Sequence, residues 1–481
     1  MVRSIIAENG IECYGEILAE KKELVVGLIF GQEISATKTC VIHLARTPAA
    51  EEPEDDDDEA PPKKGAGKKP SADDFDDSLV LDHARQVMRA LPGGITVLGL
   101  FIVSAADPFQ NSAMSTRLRK LLTSMDVTIG KSCVTLRQQL TCERIVLHIS
   151  NTTMKYNCKT IDIASPVASP KPAEWKFVSA AGSPWIELHC TLNVEFFIAL
   201  SDAESAGTLR KQLDSGIELY SKAVKQCVCL FDGKVPAESD LLDGGSAQVE
   251  KGGGGKKNKQ SKQQQQQADN SEERMKTMNV QILIPEAEVM QEKQACSSDL
   301  RFGGQMCIKA YCHGKATVRE ACQVIREDIL RSLWARCDMH CDSLIGDEQR
   351  GQPDVRAVLH EPPRRVLAPL PFSPVSVSDY LFPGEGPVDS LASLADLLDL
   401  GTLLEGDVQD YWEAAAEVND AVLADSAPLE ETSMTSSMKS SLGKQSSATA
   451  AANSRAILLS GLIALLAIVL SYLALHIFRS N

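Results

Sequence analysis

The sequence lacks the short motifs of zinc proteases and of P-loop nucleotide-binding enzymes. It contains no HExxH, and its eight histidines are isolated from one another. A metalloprotease needs His and carboxylate ligands gathered at one site. The glycine clusters at Gly93-Gly94, Gly303-Gly304 and residues 252–255 are not followed by GK[ST], so none predicts a phosphate-binding loop. These absences disfavour an autonomous protease and indicate a binding protein.

The chain also lacks the features of a secreted or a nucleic-acid-binding protein. Its N-terminus, MVRSIIAENGIECYG, has no long apolar stretch and no small-residue cleavage site, so we expect no signal peptide. The formal net charge is −16, and much of it lies in the acidic run at residues 51–59. Such a run is typical of a solvated loop and argues against nucleic-acid binding. The 14 cysteines are expected to be reduced thiols in the core.

Six side chains late in the chain are of a metal-ligating type, but their spacing matches none of the common short zinc patterns. They are Cys307, Cys312, His313, Cys337, His340 and Cys341. The last three fall at i, i+3 and i+4 of a predicted helix. Packing of free thiols in a core is favoured over zinc.

Two further places contain possible cysteine nucleophiles. They are Cys13, before Tyr14 and Gly15, and the pair Cys227 and Cys229. A nucleophile needs a neighbouring His and an orienting Asn or Asp, and no such partner can be recognised. The pair points the same way on a predicted strand, which favours core packing. We therefore predict no catalytic residue, no cofactor and no metal site.

The one long apolar run lies at residues 456–478, AILLSGLIALLAIVLSYLALHIF, and contains no Asp, Glu, Lys or Arg. As a helix it would be about 34 Å long, enough to cross a hydrocarbon core of roughly 30 Å. Only Arg479, Ser480 and Asn481 follow. We therefore expect a transmembrane tail anchor with the preceding residues in the cytosol. The alternative, a buried core helix, would be expected to keep a polar face.

Low-complexity segments divide the rest of the chain. Residues 47–77 and 243–273 interrupt folded sequence and are predicted to be disordered insertions. Residues 345–455 are predicted to be a mostly disordered tether. The remainder of residues 1–344 is predicted to form one α/β domain, a mixed sheet with flanking helices.

Hydrophobic periodicity predicts the regular elements of that domain. Strands are predicted at residues 24–30, 40–44, 95–103, 144–149, 153–161, 186–200, 226–231, 279–284 and 306–312. Helices are predicted at residues 78–90, with Ser78 as N-cap, and at residues 112–125, 204–224 and 317–344. The run at 95–103 has no polar face beyond Thr96, so it should lie in a sheet covered on both sides.

Residues 388–423 interleave leucines with acidic side chains up to Glu405, and Tyr411 and Trp412 follow within the segment. The pattern is that of an amphipathic segment that folds on a partner protein. Two alternatives remain open, namely that the segment docks on its own domain or that it is a disordered acidic-hydrophobic tract.

Several of these blocks resemble the odorant-response-abnormal protein family, specifically its fourth-named member and the animal homologues of that member. The matching residues are Tyr14-Gly15, residues 24–31, residues 91–101 (LPGGITVLGLF) and residues 317–336 (TVREACQVIREDILRSLWAR). The strands at 24–31 and 94–101 also resemble the start and centre of MPN-type domains. Active MPN domains carry a His-x-His metal pair at the end of the central strand. Here no His follows that strand, and Asp107 alone cannot hold zinc, which implies an inactive scaffold.

The family resemblance implies a function that the residues do not show by themselves. It implies a non-catalytic adaptor that binds the cysteine protease specific for the ubiquitin-fold modifier as a heterodimer and places it at the endoplasmic reticulum membrane. Contact with the lipid bilayer would be made through residues 456–478, as a single span with a cytosolic N-terminal domain. The alternative is a folding and trafficking factor for seven-helix odorant-type receptors.

Overall fold

The fold of the chain is mixed α/β, as the hydrophobic periodicity predicts. The computed structural model describes residues 2–49, 75–132, 141–178, 185–201, 203, 207–242, 275–285, 298–349 and 362–413. All of them lie in one compact unit, Met1–Asp420, and none lies in the second unit, Ala421–Asn481.

Strands and helices are interspersed along the chain. The strands are β1 (Arg3–Glu8), β2 (Val25–Ser35), β3 (Lys38–Arg46), β4 (Thr96–Ser104), β5 (Glu143–Ser150), β6 (Tyr156–Asp162), β7 (Lys171–Val178), β8 (Trp185–Leu200), β9 (Val228–Phe231), β10 (Lys276–Leu283), β11 (Ser298–His313), β12 (Arg364–Pro369) and β13 (Ser376–Leu381). The α-helices are α1 (Asn9–Glu20), α2 (Asp77–Ala90), α3 (Ser112–Ser132), α4 (Leu209–Gln226), α5 (Val318–Gln349) and α6 (Pro387–Leu398).

The first seven strands form a closed barrel in the order β1-β3-β2-β4-β5-β6-β7. Strand β1 closes it, because it pairs in parallel with β3 on one side and with β7 on the other. The sequence predicts a mixed sheet but not β1, α1 or β7. The register that joins Ile5 to Trp175 links residues far apart in the chain, and local periodicity contains no signal for such a pairing.

Strand β4 is buried on both faces, which confirms the prediction for residues 95–103. Leu98 and Phe101 pack in the core that contains α1. Leu100 and Ile102 pack on the opposite side, in the core that contains α2 and α3. Because both faces meet apolar neighbours, no polar side chain is needed along the strand.

Some element ends differ from the prediction. Helix α2 is capped by Asp76, whose carboxylate accepts from Ser78 N at 2.8 Å, so Ser78 is not the N-cap. Helix α4 begins at Leu209, five residues later than predicted, after Thr208 in extended backbone. Most of the first predicted insertion, residues 50–74, and all of the second, residues 243–273, lie outside the described residues.

Glu8, where β1 meets α1, has a buried carboxyl group whose two oxygens have no hydrogen-bond partner among the described residues. Burial raises the pKa of Glu8 to about 7. A raised carboxyl pKa means that the folded state holds the proton more tightly than the unfolded state does. The stability from this group is therefore fully present below the usual value of 4.5 and is lost as pH rises through about 7.

We accordingly expect Glu8→Gln to raise the melting temperature near pH 8 and to leave it unchanged near pH 4. The amide removes the cost of ionising a buried carboxyl, and protonated wild type has no such cost. Thermal melts of both proteins across this range test the expectation. An equal offset between variant and wild type at every pH would contradict it.

The second sheet has the order β11-β8-β10-β9 and packs one face against α4 and α5. Strands β8 and β11 pair antiparallel over their full lengths, from Trp185 opposite His313 to Leu200 opposite Ser298. Alternate residues such as Leu188 and Ile308 enter the core with Ile329 of α5. The opposite face is polar and carries a 2.6 Å ion pair between Lys309 and Glu187.

The prediction of a tether over residues 345–455 is wrong for residues 362–413, which fold onto the rest of the unit. Strands β12 and β13 pair antiparallel, and Leu394 and Leu398 of α6 lie in the core that contains α2. The Pro-rich and acidic composition misled the prediction, because Pro387 is the first residue of α6 and the acidic residues lie around its apolar stripe. Docking on its own domain is therefore correct for residues 388–413, and residues 414–423 lie outside the described residues.

The C-terminal end of α6 is held by two histidines, His43 of β3 and His83 of α2. His43 Nε2 lies 2.8 Å from Leu398 O, and His83 Nε2 lies 2.8 Å from Leu397 O. Burial lowers the pKa of both rings, which favours neutral imidazoles that donate to the free helix carbonyls. Next to them, Asp399 accepts hydrogen bonds from Tyr14 and Arg46.

A buried ionic network joins the barrel, the second sheet and the C-terminal strands. Asp328 of α5 accepts from both terminal guanidinium nitrogens of Arg365, at 2.6 and 3.0 Å, and from the backbone N of Gly93 and Lys309. Glu413 accepts from Arg336 at 2.6 and 2.8 Å. All four charged side chains are almost fully buried, so each depends on its partner for the solvation that water no longer supplies.

The turn at residues 91–95 can pack directly against α5, next to Asp328, because Gly93 has no side chain. A Cβ at Gly93 would lie 2.1 Å from Val324 O of α5. Arg331, also on α5, donates to the carbonyl oxygens of Leu91, Pro92 and Ile95, each at 2.9 Å. The two sequence blocks 91–101 and 317–336 are therefore in direct contact, and the paired glycines serve packing.

Candidate functional site

The end of β4 opens into a cleft of about 610 Å³, lined mainly by residues of polar type, between the loop that follows this strand and the β5–β6 hairpin. The residues that line the cleft are Ala105, Ala106, Asp107, Gln110, Asn111, His148, Ser150, Thr152, Thr153, Lys155 and Asn157. This is the position at which the sequence places Asp107. The parallel pairing of β4 and β5 adds His148 and Ser150 to the same wall.

The polar side chains of the cleft hold its walls together. Asp107 Oδ1 accepts from Phe109 N at 2.9 Å and thereby caps the 3₁₀ turn at Pro108–Gln110. Asp107 Oδ2 accepts from Asn157 Nδ2 at 2.9 Å. His148 is buried, and its Nε2 lies 3.2 Å from Ser104 O. Asp107 and His148 are thus both engaged in fixing the loop after β4 to β5 and β6.

The sequence reasoning missed His148 as a site residue, although it placed the residue on a strand. The signal that could have found it is the single His in an otherwise apolar run, IVLHIS, of a strand that pairs with β4. Which strand pairs with β4 is decided by the fold, so the sequence alone did not bring His148 next to Asp107.

A second cavity, of about 410 Å³, lies on the other side of the same loop. Its lining is more apolar and includes Leu24, Phe75, Ile102 and Met114, together with Lys22 and Asp107. The guanidinium of Arg117 stacks on the Phe75 ring at 4.2 Å. The loop Ser104–Asn111 therefore presents a hydrogen-bonding wall on one side and an apolar wall on the other.

The six residues of metal-ligating type in the second half of the chain are not gathered at one site. Cys307 Sγ lies 3.6 Å from His189 Nε2 on the polar face of the second sheet, whereas Cys312 lies in the core on the other face. Cys337 and Cys341 are in that core as well, and burial raises the pKa of Cys337 to about 12. No group of three or more His, Cys, Asp or Glu within the described ranges is arranged to hold a metal ion.

The possible nucleophiles lie in two different environments. Cys13 is exposed on α1. Cys227 and Cys229 are buried in the core of the second sheet, as the core-packing interpretation expects. Their surroundings include Cys322 and Arg326 of α5, two residues that the sequence reasoning did not connect with them.

The membrane-spanning prediction is not addressed by the described residues. None of the helices within them is both long enough and apolar enough to cross a membrane. The predicted anchor at residues 456–478 lies outside the described residues.

Fold and site together define a mixed α/β protein built on a closed barrel, with a cleft at the end of its central strand. The chain belongs to the ODR4-like family, described as odorant response abnormal 4-like, which matches residues 27–408. Mouse and human relatives, each called protein odr-4 homolog, are 31% identical over 435 residues and cover 89% of this chain and 88% of their own. The Caenorhabditis elegans odorant response abnormal protein 4 is 22% identical over 353 residues, which cover 72% of this chain and 68% of its own.

Among solved structures, the crystal structure of UfSP from C. elegans aligns with a TM-score of 0.43 and 9% sequence identity. The alignment covers 83% of this chain and 57% of that chain.

Proposed function

We propose that this protein is a non-catalytic adaptor that binds the cysteine protease specific for the ubiquitin-fold modifier and holds it at the endoplasmic reticulum membrane. The observation that carries the proposal is the arrangement of the cleft at the end of β4. Asp107 bonds to Phe109 N and Asn157, and His148 bonds to Ser104 O, so these groups brace the loop. Such bracing suits a rigid binding surface. The partner class is the one that the family resemblance of the sequence implies.

The proposal includes an assignment of the barrel to a known domain class. We assign the barrel to the MPN-type class as an inactive member, because a doubly covered central strand ends at the cleft. Pairing of this domain with a similar domain of the protease is the expected mode of contact.

The loop Ser104–Asn111 is the candidate contact surface for the protease. A protein interface needs apolar area for affinity and placed polar groups for specificity. The two cavities on either side of this loop supply both, through Phe75 and Met114 on one side and Asn111 and Lys155 on the other.

The proposed membrane attachment rests on the apolar run at residues 456–478. A protease bound to the anchored protein would be confined to the membrane surface, where its local concentration is raised.

The alternative function is a folding or trafficking factor for seven-helix odorant-type receptors. The description of the family, odorant response abnormal 4-like, is the observation that favours it. Under this alternative the protein would contact membrane-protein clients, and the protease would not depend on it for its location.

We expect removal of residues 456–481 to release the protein from membranes, and the protease with it. An unrelated reticulum tail anchor fused after Asn453 should restore both locations, because the anchor supplies placement and the domain supplies the contact. Fractionation of cells that express each variant, with blotting for the protease, measures this result.

In the same assay, two substitutions distinguish loss of protease binding from loss of membrane attachment. Met114→Glu, on the apolar wall beside the loop, should weaken protease capture while the protein stays on the membrane. Val167→Glu, at a residue that is 88% exposed and outside both cavities, is the matched control and should capture normally. A protease that remains on the reticulum in cells without this protein would refute the adaptor function and favour the alternative.

A further inference from the structure

Helix α1 buries one side in the barrel and exposes apolar side chains on the other. Ile11 and Leu18 lie in the core that contains α1. Cys13 is exposed, and Ile17 is 56% exposed. Gly10, Cys13 and Ile17 follow one another at i, i+3 and i+7, so they share the outward face of the helix.

A phenyl ring from the C-terminal hairpin extends this outward face. The turn between β12 and β13 places Phe372 on Gly10, where a Cβ atom would overlap the ring. Phe372 is itself 56% exposed, and its backbone φ of +67° is a left-handed conformation that bulky residues rarely adopt. Together Gly10, Cys13, Ile17 and Phe372 form an exposed surface, which we call the α1 stripe. Strained backbone of this kind is typical of binding sites.

A row of carboxylates runs beside the α1 stripe. Glu12, Glu16 and Glu20 are spaced at i, i+4 and i+8, in the helical row next to that of Cys13 and Ile17. Glu16 and Glu20 are exposed. Within the described ranges, none of the three carboxylates has an ion-pair partner. The row therefore offers three unpaired negative charges along one edge of an apolar surface.

This row does not stabilise the helix that contains it. Like charges at i and i+4 repel one another. Glu12 lies in the first turn, where the helix dipole favours an anion, but Glu20 lies in the last turn, where it favours a cation. Side chains that oppose the local structure, next to an exposed apolar surface, are typical of a functional site.

We propose that the α1 stripe and its acidic row form a docking site for a basic amphipathic helix of a partner protein. Apolar side chains of that helix pack on Ile17 and Phe372, and its Lys or Arg side chains pair with Glu16 and Glu20. From Gly10 to Ile17 the helix rises about 11 Å, so two turns of a partner helix cover the stripe.

The charge of the surface decides among the possible occupants. An anionic lipid surface or a nucleic acid would be repelled by the acidic row. A second copy of this chain, docked about a two-fold axis, would bring the same carboxylates together. A basic helix instead relieves the repulsion within the row and covers the apolar side chains in one contact.

The docking site is separate from the proposed contact surface for the protease. None of the residues of the α1 stripe or of its acidic row lines either cavity beside the loop Ser104–Asn111. The inference therefore does not depend on the proposed recruitment function, and either can fail without the other.

The thiol of Cys13 allows a direct test, because it lies within the α1 stripe. Cys142 is the other exposed thiol among the described residues and serves as an internal control. The probe is a synthetic helical peptide of about 14 Leu and Lys residues in an amphipathic pattern, with one Cys on its apolar face. It is supplied as its mixed disulfide with 2-mercaptoethanol, and excess 2-mercaptoethanol keeps the exchange reversible. Peptide mass spectrometry of the full-length protein in nonionic detergent measures the captured fraction of each thiol.

Capture at Cys13 should exceed capture at Cys142 by about tenfold, which corresponds to burial of about one aliphatic side chain. A peptide with Glu in place of Lys should show no preference between the two thiols. Ile17→Ser should abolish the preference of the basic peptide. Glu16→Gln combined with Glu20→Gln should lower it by about fourfold, since each exposed ion pair changes affinity by about twofold.

Val167→Ser is the matched control, because Val167 is 88% exposed and lies outside the α1 stripe. It should leave capture at Cys13 unchanged. Thermal melts check that the variants are folded, as expected for substitutions of exposed side chains. Equal capture of the basic peptide at Cys13 and Cys142 would overturn the docking site. Equal capture of the basic and acidic peptides at Cys13 would overturn the basic partner, because the surface would then bind apolar side chains without regard to charge.

Discussion

A chain that ends after residue 361 should fail to fold, although its composition suggests a linker at that point. The cut removes β12, β13 and α6 from the folded unit. It takes Leu394 and Leu398 out of the core that contains α2, and each such buried side chain contributes about 1.5–3 kcal/mol. It also leaves Asp328 without Arg365. The two leucines and the broken ion pair amount to about 6–11 kcal/mol, which is comparable with the roughly 5–15 kcal/mol by which domains are stable.

The matched control ends after Asp420 and therefore keeps the whole of the first compact unit. Both truncated chains lack the predicted anchor, so differences in solubility cannot arise from it. Circular dichroism melts should show a cooperative transition for the longer chain and none for the shorter one. A cooperative transition in the shorter chain, at the same temperature, would contradict the assignment of residues 362–413 to the core.

The second large effect is expected from breaking the ion pair between Arg365 and Asp328. Arg365→Met keeps a long apolar side chain but leaves a carboxylate that is 1% exposed without its cation. Removing one partner of a buried pair costs about 3–5 kcal/mol, because the remaining charge is neither hydrated nor paired. Urea unfolding of the Met1–Asp420 fragment measures the change in free energy.

An exposed ion pair with one member on α5 provides the comparison. Arg319 and Glu238 are joined at 2.8 Å, but their side chains are 68% and 69% exposed. Arg319→Met should therefore cost at most about 1 kcal/mol. Asp328→Asn added to Arg365→Met should recover part of the loss, because a neutral amide needs no cation. Similar costs for the two single variants would mean that burial does not set the strength of the Arg365 pair.

The site could be predicted from sequence only in part. No site residue was predicted, and Asp107 was named only through the resemblance to MPN-type domains, as a residue that cannot hold zinc alone. His148 was missed, because its proximity depends on the parallel pairing of β4 with β5. The contact of Arg326 with Cys227 was missed for the same reason, since about 100 residues of chain separate them and an arginine on a helix is usually solvent-exposed.

The C-terminal third shows why composition misleads. Residues 362–413 contain many prolines and acidic residues, a composition typical of linkers. In the folded chain Arg365 is paired with Asp328, and Glu413 with Arg336. Charged residues that would be expected to face solvent are therefore buried in ion pairs. A linear sequence cannot reveal such pairings, because each charge meets its partner only after the chain has folded.

The sequence by itself determined the family and the mixed α/β class. It also determined the strands and helices that have a clear local hydrophobic periodicity, above all β4 and α5. Each of these depends on neighbours within a few residues, so the pattern is visible locally. The tertiary structure alone decided that β1 closes a barrel by pairing with β7, and that His148 joins Asp107 at the cleft. It also decided that residues 362–413 belong to the core. These outcomes depend on contacts between distant segments, and backbone pairing and buried ion pairs leave no periodic trace in the sequence.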